Sequence, residues 1–327
     1  MIINKILVIQ TAFIGDVILA TALLEELHAA YPNAELYFLV RKGNESLFNN
    51  HPFLKETLVW DKKSNKISNL FKLLINIRKQ KFDLVINCQR FASSGILAGF
   101  SSAKHIAGFK ENPFSFLFNY TVKHQINTGK HEIERNAELI ADFCKTTSQK
   151  PKLYPQTSDF QAVSEFSKNP YYCIAPASVW FTKQVPTDKW VELIQHLPLE
   201  APIYLIGAPN DFELCEQIKL NCNNRVTHNL AGRLTFLQSC ALLKNGVMNY
   251  VNDSAPMHLC SAVNANVTAI FLSTSPTFGF TPLSSNSHIF EVKNLTCKPC
   301  GLHGFSKCPQ THFMCGKKLD FDLLFKA

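Results

Sequence analysis

Ile6-Leu-Val-Ile-Gln-Thr-Ala-Phe-Ile-Gly-Asp16-Val-Ile-Leu-Ala-Thr-Ala-Leu-Leu24 is the stretch on which the fold turns. A carboxylate in so apolar a run costs several kcal/mol unless it is compensated, which points to a strand, a glycine turn and a helix whose first turn holds Asp16. That arrangement puts one acidic group at the mouth of a cleft, just beyond the carboxyl end of a strand.

Outward from this stretch, short β-rich apolar runs alternate with helical ones, the pattern of α/β proteins with parallel sheets and crossover helices. The first half reads as strands at Lys5 to Gln10, Glu35 to Val40, Leu84 to Cys88 and His105 to Gly108, with helices from Asp16 to Tyr31 and around Ser68 to Lys79. The second half repeats the pattern. Its strands are Tyr171 to Ala175, Pro202 to Gly207, Val226 to Asn229, Val247 to Val251 and Val267 to Leu272; helices are expected at Asp188 to His196, Asp211 to Leu220, Thr235 to Lys244 and Ala255 to Val263. A polar, proline-containing stretch from Thr146 to Asp159 reads as the connection. Two domains follow, residues 1–155 and 156–327. After Asn294 the chain is expected to be loop-like and rich in cysteine, ending in an amphipathic piece from Leu319 to Phe325.

Composition agrees with two ordinary cores: 327 residues, 46% hydrophobic and 18% charged. The opening apolar run is broken by Asp16 and lacks a cleavage-site pattern, so a cytoplasmic location is expected rather than secretion or a membrane span. Eleven cysteines, an odd number scattered through the chain, suit reduced thiols. The net charge of +8 fits anionic partners in general. Basic residues lie in both halves, which argues against a dedicated nucleic-acid face. Their densest run, Lys62 to Lys81, reads either as the solvated face of a helix whose apolar side is Leu70, Leu73, Leu74 and Ile77 or as a lipid-facing patch.

Ligands of doubly wound sheets bind beyond the carboxyl ends of the strands. There the sequence offers Lys183, in Pro176-Ala-Ser-Val-Trp-Phe-Thr-Lys183-Gln-Val-Pro186, as a cation for a phosphate or as an ordinary loop lysine. Asn252-Asp253-Ser254-Ala255-Pro256-Met257-His258 reads as a helix N-terminus able to hold an anion, or as a plain capped helix with a core histidine. Asp211, in Gly207-Ala-Pro-Asn-Asp211, faces either a ribose hydroxyl or only its own helix.

Taken together, the Gly15-Asp16 helix, the Lys183-Gln-Val-Pro186 loop, Gly207 to Asp211, Asp253-Ser-Ala-Pro-Met-His258 and Cys297-Lys-Pro-Cys300-Gly resemble, in order and spacing, the heptosyltransferases of glycosyltransferase family 9. The resemblance implies a GT-B arrangement of two facing Rossmann-like domains, the first for acceptor and the second for donor. It also implies an inverting transfer of heptose from ADP-L-glycero-D-manno-heptose to the inner core of lipopolysaccharide. By the same resemblance Asp16 is the general base and Lys183 the phosphate-neutralising cation. The donor would meet Ser178, Asp211, Leu234, Asp253, Ser254, Ala255, Met257 and His258, with Leu234 acting through its backbone at adenine. Gln89, Arg90, Ser93 and Ser94 would face the acceptor, a lipopolysaccharide core or lipid A-linked saccharide, and His131 and Arg135 match a family pair.

Ala177, Gln184-Val185, Ala255 and Ser273-Thr-Ser-Pro276 depart from the family's usual residues, so another nucleotide sugar is an alternative donor. A noncatalytic nucleotide-sugar binder is the alternative class, opposed by the intact Asp16. No metal or other cofactor is expected in the chemistry. Cys297, Cys300, Cys308 and Cys315 fit either a structural four-thiolate zinc site or a reduced, cysteine-rich loop. Peripheral contact with the inner membrane is expected, with Phe114, Phe116, Leu117 and Phe118 read as membrane contact or, with more weight, as packed core.

Overall fold

The computed structural model describes residues 2–326, which divide between Tyr154 and Pro155 into two units. In the N-terminal unit the elements run β1 (Lys5–Ile9), α1 (Ile14–Ala30), β2 (Glu35–Arg41), β3 (Leu54–Trp60), α2 (Lys66–Gln80), β4 (Leu84–Asn87), α3 (Ala92–Gly99), β5 (His105–Phe109), β6 (Tyr120–Val122) and α4 (Glu132–Ala137). All strands are parallel, in the order β3-β2-β1-β4-β5-β6. Ile6 lies opposite Leu36 on one side and Leu84 on the other, so the central strands are covered on both edges and both faces. That is why β1, β2 and β4 read as unbroken apolar runs.

Helix α1 starts two residues earlier than the sequence suggested and is apolar all round, with Val17 to Leu24 and Leu27 buried. A helix without a polar face needs cover on both sides. The sheet supplies one. The other comes from α4 and from the stretch read as an interdomain connection, which is bonded along α1 as far as Tyr154. The Glu26 carboxylate accepts from the amides of Thr147 and Gln149, Thr21 Oγ1 accepts from the Lys152 amide, and the Tyr154 hydroxyl donates to Glu25 at 2.7 Å. On the opposite face of the sheet, Leu73 and Ile77 of α2 and Leu97 and Ala98 of α3 join Leu7, Ile9 and Val85 in one core.

The C-terminal unit contains α5 (Thr157–Ala162), β7 (Tyr172–Ala175), α6 (Thr187–Gln195), β8 (Ile203–Leu205), α7 (Phe212–Leu220), β9 (Thr227–Asn229), α8 (Phe236–Asn245), β10 (Met248–Asn252), α9 (Ala255–Ala262), β11 (Val267–Phe271), β12 (Ser287–Glu291), α10 (Met314–Lys317) and α11 (Asp322–Phe325). Its parallel sheet is ordered β12-β11-β10-β7-β8-β9. After Asn294 the chain is loop-like up to the short α10, as expected, and it folds back onto this unit: Phe313, Cys315, Leu319 and Phe321 are buried among Ile174, Trp190 and Ile270. Three strands absent from the sequence reading, β3, β6 and β12, each lie at a sheet edge. In each unit the strand order reverses beside the first strand, between β1 and β4 and between β7 and β10, where a doubly wound sheet opens a crevice for ligand.

Candidate active site

At the reversal of the N-terminal unit, Asp16 occupies the first turn of α1 and is partly exposed. The strands on either side are joined through their first loop residues. Gln89 Oε1 accepts from the Thr11 amide and from Thr11 Oγ1, the latter at 2.6 Å. Behind them Asn112 ties down the segment that carries Arg90, its amide nitrogen donating to the carbonyls of Gln89 and Phe91. Only glycine fits at position 95, because a Cβ there would lie 2.1 Å from Asn112 Oδ1. Arg90 is exposed and Ser93 partly so, whereas Ser94 is fully buried, its hydroxyl donating to the Phe91 carbonyl at 2.8 Å. Ser94 therefore holds the start of α3, and of the expected acceptor group only Arg90 and Ser93 are open to a ligand.

Lys62 belongs to the same edge, although in the sequence it is merely one of a run of lysines. Its Nζ donates to the Thr11 carbonyl at 2.7 Å and lies 4.6 Å from the centre of the Trp60 ring. Burial, then repulsion from Arg41 and Lys66, pushes its ammonium down to about 8. A cation held against burial and against other cations gains from any anion that arrives.

His131 and Arg135 do different work. His131 caps α4, its Nδ1 accepting from the Ile133 amide while its own amide donates to Glu134. Arg135 is buried, its Nε 2.7 Å from the Glu132 carboxylate, which also meets His124 Nε2 at 3.1 Å. Burial alone would raise the Glu132 carboxyl; the hydrogen bond and charge of His124, and then Arg135, hold it below the usual range. This network sits in the interior.

At the reversal of the C-terminal unit, Lys183 Nζ lies 2.7 Å from Asp253 Oδ2, and the same oxygen accepts from Thr274 Oγ1 at 2.6 Å. Asp253, 6% exposed, follows β10; Thr274 follows β11; Lys183 stands in the loop after β7. Asn252 holds that loop, accepting from the Val185 amide and donating to the Pro176 carbonyl. Thr182 fastens it to the C-terminal segment: its Oγ1 accepts from Ser273 and from the Phe305 amide. Gly304 lies so close beneath the stem of Lys183 that a Cβ there would stand 3.0 Å from its Cγ. The departures at 184 and 185 are thereby explained, since Gln184 Oε1 accepts from the Ser178 amide and Val185 is wholly buried.

Ser254 is the N-cap of α9 but makes no capping bond with its side chain; its hydroxyl lies 3.5 Å from the Asn252 carbonyl. The first amides of a helix have no partner inside it, so Ser254 and Ala255 together present a donor set to an anion. Met257 is fully buried and its amide donates to the Ser254 carbonyl, and His258 is 6% exposed; both lie inside the helix packing. Asp211 caps its own turn through Oδ2, which accepts from the Ala208 amide at 2.7 Å. Leu234 is partly exposed beside the cap of α8, in the loop that joins Gly207 through the Gly232 amide.

The four C-terminal cysteines share one neighbourhood without forming a ligand set. Burial, then nearby thiols, raises Cys300 above the usual thiol range and Cys315 to about 11, and Cys300 Sγ donates to the Cys297 carbonyl. Among the described residues no group of three or more His, Cys, Asp or Glu side chains is arranged to hold a metal ion. Nor is any described helix long and apolar enough to cross a membrane.

Two Rossmann-like units in one chain, each with charged and polar side chains at its strand reversal, define the fold class of the GT-B glycosyltransferases. The chain belongs to glycosyltransferase family 9 (heptosyltransferase), whose family model matches residues 70–306, and it is thus a transferase. It is 25% identical over 289 residues to lipopolysaccharide heptosyltransferase 3 of Escherichia coli, covering 84% of this chain and 85% of that protein. Among solved structures it resembles a family 9 glycosyl transferase from Veillonella parvula, with a TM-score of 0.84 at 19% identity over 100% of this chain and 99% of that one. It also resembles E. coli ADP-heptose lps heptosyltransferase II, with a TM-score of 0.78 at 22% identity over 99% of this chain and 100% of that one.

Proposed function

We propose that this protein transfers heptose from ADP-L-glycero-D-manno-heptose to the inner core of lipopolysaccharide, with inversion, at the inner face of the cytoplasmic membrane. The observation that carries the reading is the Lys183–Asp253–Thr274 chain at the strand reversal of the C-terminal unit, a preorganised cation beside the N-terminal amides of α9. A departing ADP develops charge on its diphosphate, and fixed donors aimed at that charge stabilise the transition state. Lys183, the Ser254 hydroxyl and the Ala255 amide take that part; Ser178, Asp211 and Leu234 line the donor side, and Asp253 sets the position of Lys183.

Asp16 acts as the base for the acceptor hydroxyl. Its place in the first turn of α1 favours the ionised carboxylate, at some cost in basicity, so proton transfer accompanies attack as the hydroxyl becomes acidic in the transition state. Arg90, Ser93 and Lys62 supply contacts for an anionic acceptor. Because the diphosphate is met by a lysine and backbone amides, we assign no metal to the chemistry, and transfer should persist in EDTA.

The test is donor consumption with a panel of truncated lipopolysaccharide acceptors, for the native protein and Asp16→Ala, alongside ADP titration calorimetry. Asp16→Ala should bind ADP normally and lose about two to four orders of magnitude in transfer, the scale of a missing general base. Full activity in that variant ends the assignment of Asp16. Turnover of a different nucleotide sugar, with ADP-heptose inert, replaces the donor.

A further inference from the structure

Helix α2 has two apolar faces, and the core uses only one. Leu73 and Ile77 are buried under the sheet, with Leu70 and Leu74 packed beside them. Ile67, Phe71 and Ile75 point the other way and are 70%, 58% and 55% exposed. Spaced by one helical turn, they fall within an arc of about 80° and a length of about 12 Å, a continuous stripe and not scattered surface residues. The polar complement is one-sided too. Between Lys66 and Gln80 there are four cations, Lys66, Lys72, Arg78 and Lys79, all exposed, and no Asp or Glu. The ion pairs nearby, Lys42 with Asp61 and Lys104 with Asp83, use none of them.

From this stripe and its charge we infer that the outer face of α2 is a docking surface for an anionic lipid bilayer. An apolar stripe bordered by lysines, on a helix without acids, has the chemistry of a helix lying in the interface: the stripe enters the acyl boundary while the long cationic side chains reach phosphate headgroups. A second copy of this chain would bring the same four cations against themselves, so charge favours a lipid surface. Neighbouring structure agrees. Helix α3 covers the same face of the sheet, and Phe100 at its end meets Phe114 edge-on, which in turn contacts the 77% exposed Phe116. Of the phenylalanine cluster expected to touch lipid or pack inside, Phe118 is buried and Phe116 is open.

Docking here has a consequence for the site. The first turn of α2 follows Lys62, which rests on the Thr11 carbonyl at the end of β1. A bilayer held by α2 would bring lipid headgroups to the edge that carries Arg90 and Lys62, where a lipid-linked acceptor is to be received. This last step rests on the proposed function; the docking surface itself does not.

The test uses the full chain in sedimentation with vesicles of phosphatidylcholine alone and of phosphatidylcholine with about one-third phosphatidylglycerol. Binding should be confined to the anionic vesicles and weaken with added salt. The variant Ile67→Ser/Phe71→Ser/Ile75→Ser should bind at least about tenfold more weakly. Lys72→Gln/Arg78→Gln/Lys79→Gln should lose on the order of 100-fold, about fivefold per cation. Phe71→Ser alone should move in the same direction. All of these should keep native transfer to a soluble acceptor fragment, since none belongs to the site. Wild-type protein that ignores anionic vesicles, or triple variants that bind like wild type, would overturn the inference, as would a stable dimer dissociated by the serine triple. Vesicle binding without transfer to any acceptor would leave the docking surface standing and remove the enzymatic reading instead.

Discussion

Asp253→Asn isolates the interaction on which the proposed donor site depends. In the native protein two opposite charges stand 2.7 Å apart, with side-chain exposures of 15% for Lys183 and 8% for Asp253. At an effective dielectric constant near 20 their attraction is about 6 kcal/mol, and desolvation of both groups offsets a large part of it. Removing one partner leaves the other charge buried without its counter-ion. We therefore expect Asp253→Asn and Lys183→Met each to lose about 3 kcal/mol of stability, which in a unit of this size lowers the calorimetric transition by roughly 6 to 12 °C. The double variant should lose little more than either single one, giving a coupling energy of about 2 to 3 kcal/mol. ADP titration separates stability from function: Lys183→Met should weaken ADP by about tenfold or more, because a charge-assisted contact to phosphate is lost. If Asp253→Asn unfolds with the wild type and the two substitutions are additive, the cation is not held as described, and the preorganisation argument for the donor site fails.

Three further outcomes follow from other parts of the molecule. Lys62 is held down at about 8, so between there and its ordinary value near 10.5 the folded protein has already released a proton that the unfolded chain keeps; the KM for an anionic acceptor should rise above about pH 8, and Lys62→Met should start high and lose that dependence. His51, packed against Phe48, Phe53 and Tyr154, is lowered to about 4, first by burial and then by His28 and Lys152; the unfolded chain takes up its proton from about pH 6.5, so stability is full above that and falls by about 3 kcal/mol as the pH drops to 4, and His51→Phe should flatten acid unfolding across this window. Metal analysis of protein purified under reducing conditions should find well below one zinc per chain, because among the described residues these thiols form no ligand set; a full equivalent would instead make the cysteine segment a zinc site.

The residues legible in advance were those whose local sequence is itself improbable. Asp16 is conspicuous because its neighbours are apolar, and Lys183, Asp253 and Ser254 because they follow strands in loops that open helices. The residues not legible act through distant partners. Nothing near Gln89 announces its bond to Thr11, and nothing in Lys62-Lys63 says that one lysine rests on the Thr11 carbonyl while the other is exposed. Ser94 and Met257 fit a family pattern in the chain, but burial turns the first to its own helix and the second to the core. His131 and Arg135 likewise match by spacing, yet one caps a helix and the other answers a buried carboxylate.

Strands show the same division. The central ones, β1, β4, β7 and β10, are buried on both faces and must be apolar throughout, so hydrophobic runs reveal them. Edge strands β3, β6 and β12 are paired on one side only, tolerate Lys55, Glu56, Thr121 and His288, and carry too little apolar signal to be recognised. By itself, then, the order of residues determined the α/β alternation, the two sheets and the placing of Asp16 and Lys183 just beyond strands, because local periodicity and the cost of burying charge are properties of neighbouring residues. Tertiary structure decided which polar groups meet: the pairing of Lys183 with Asp253 and the seat of Lys62 depend on contacts between segments far apart in the chain, and no local pattern encodes them.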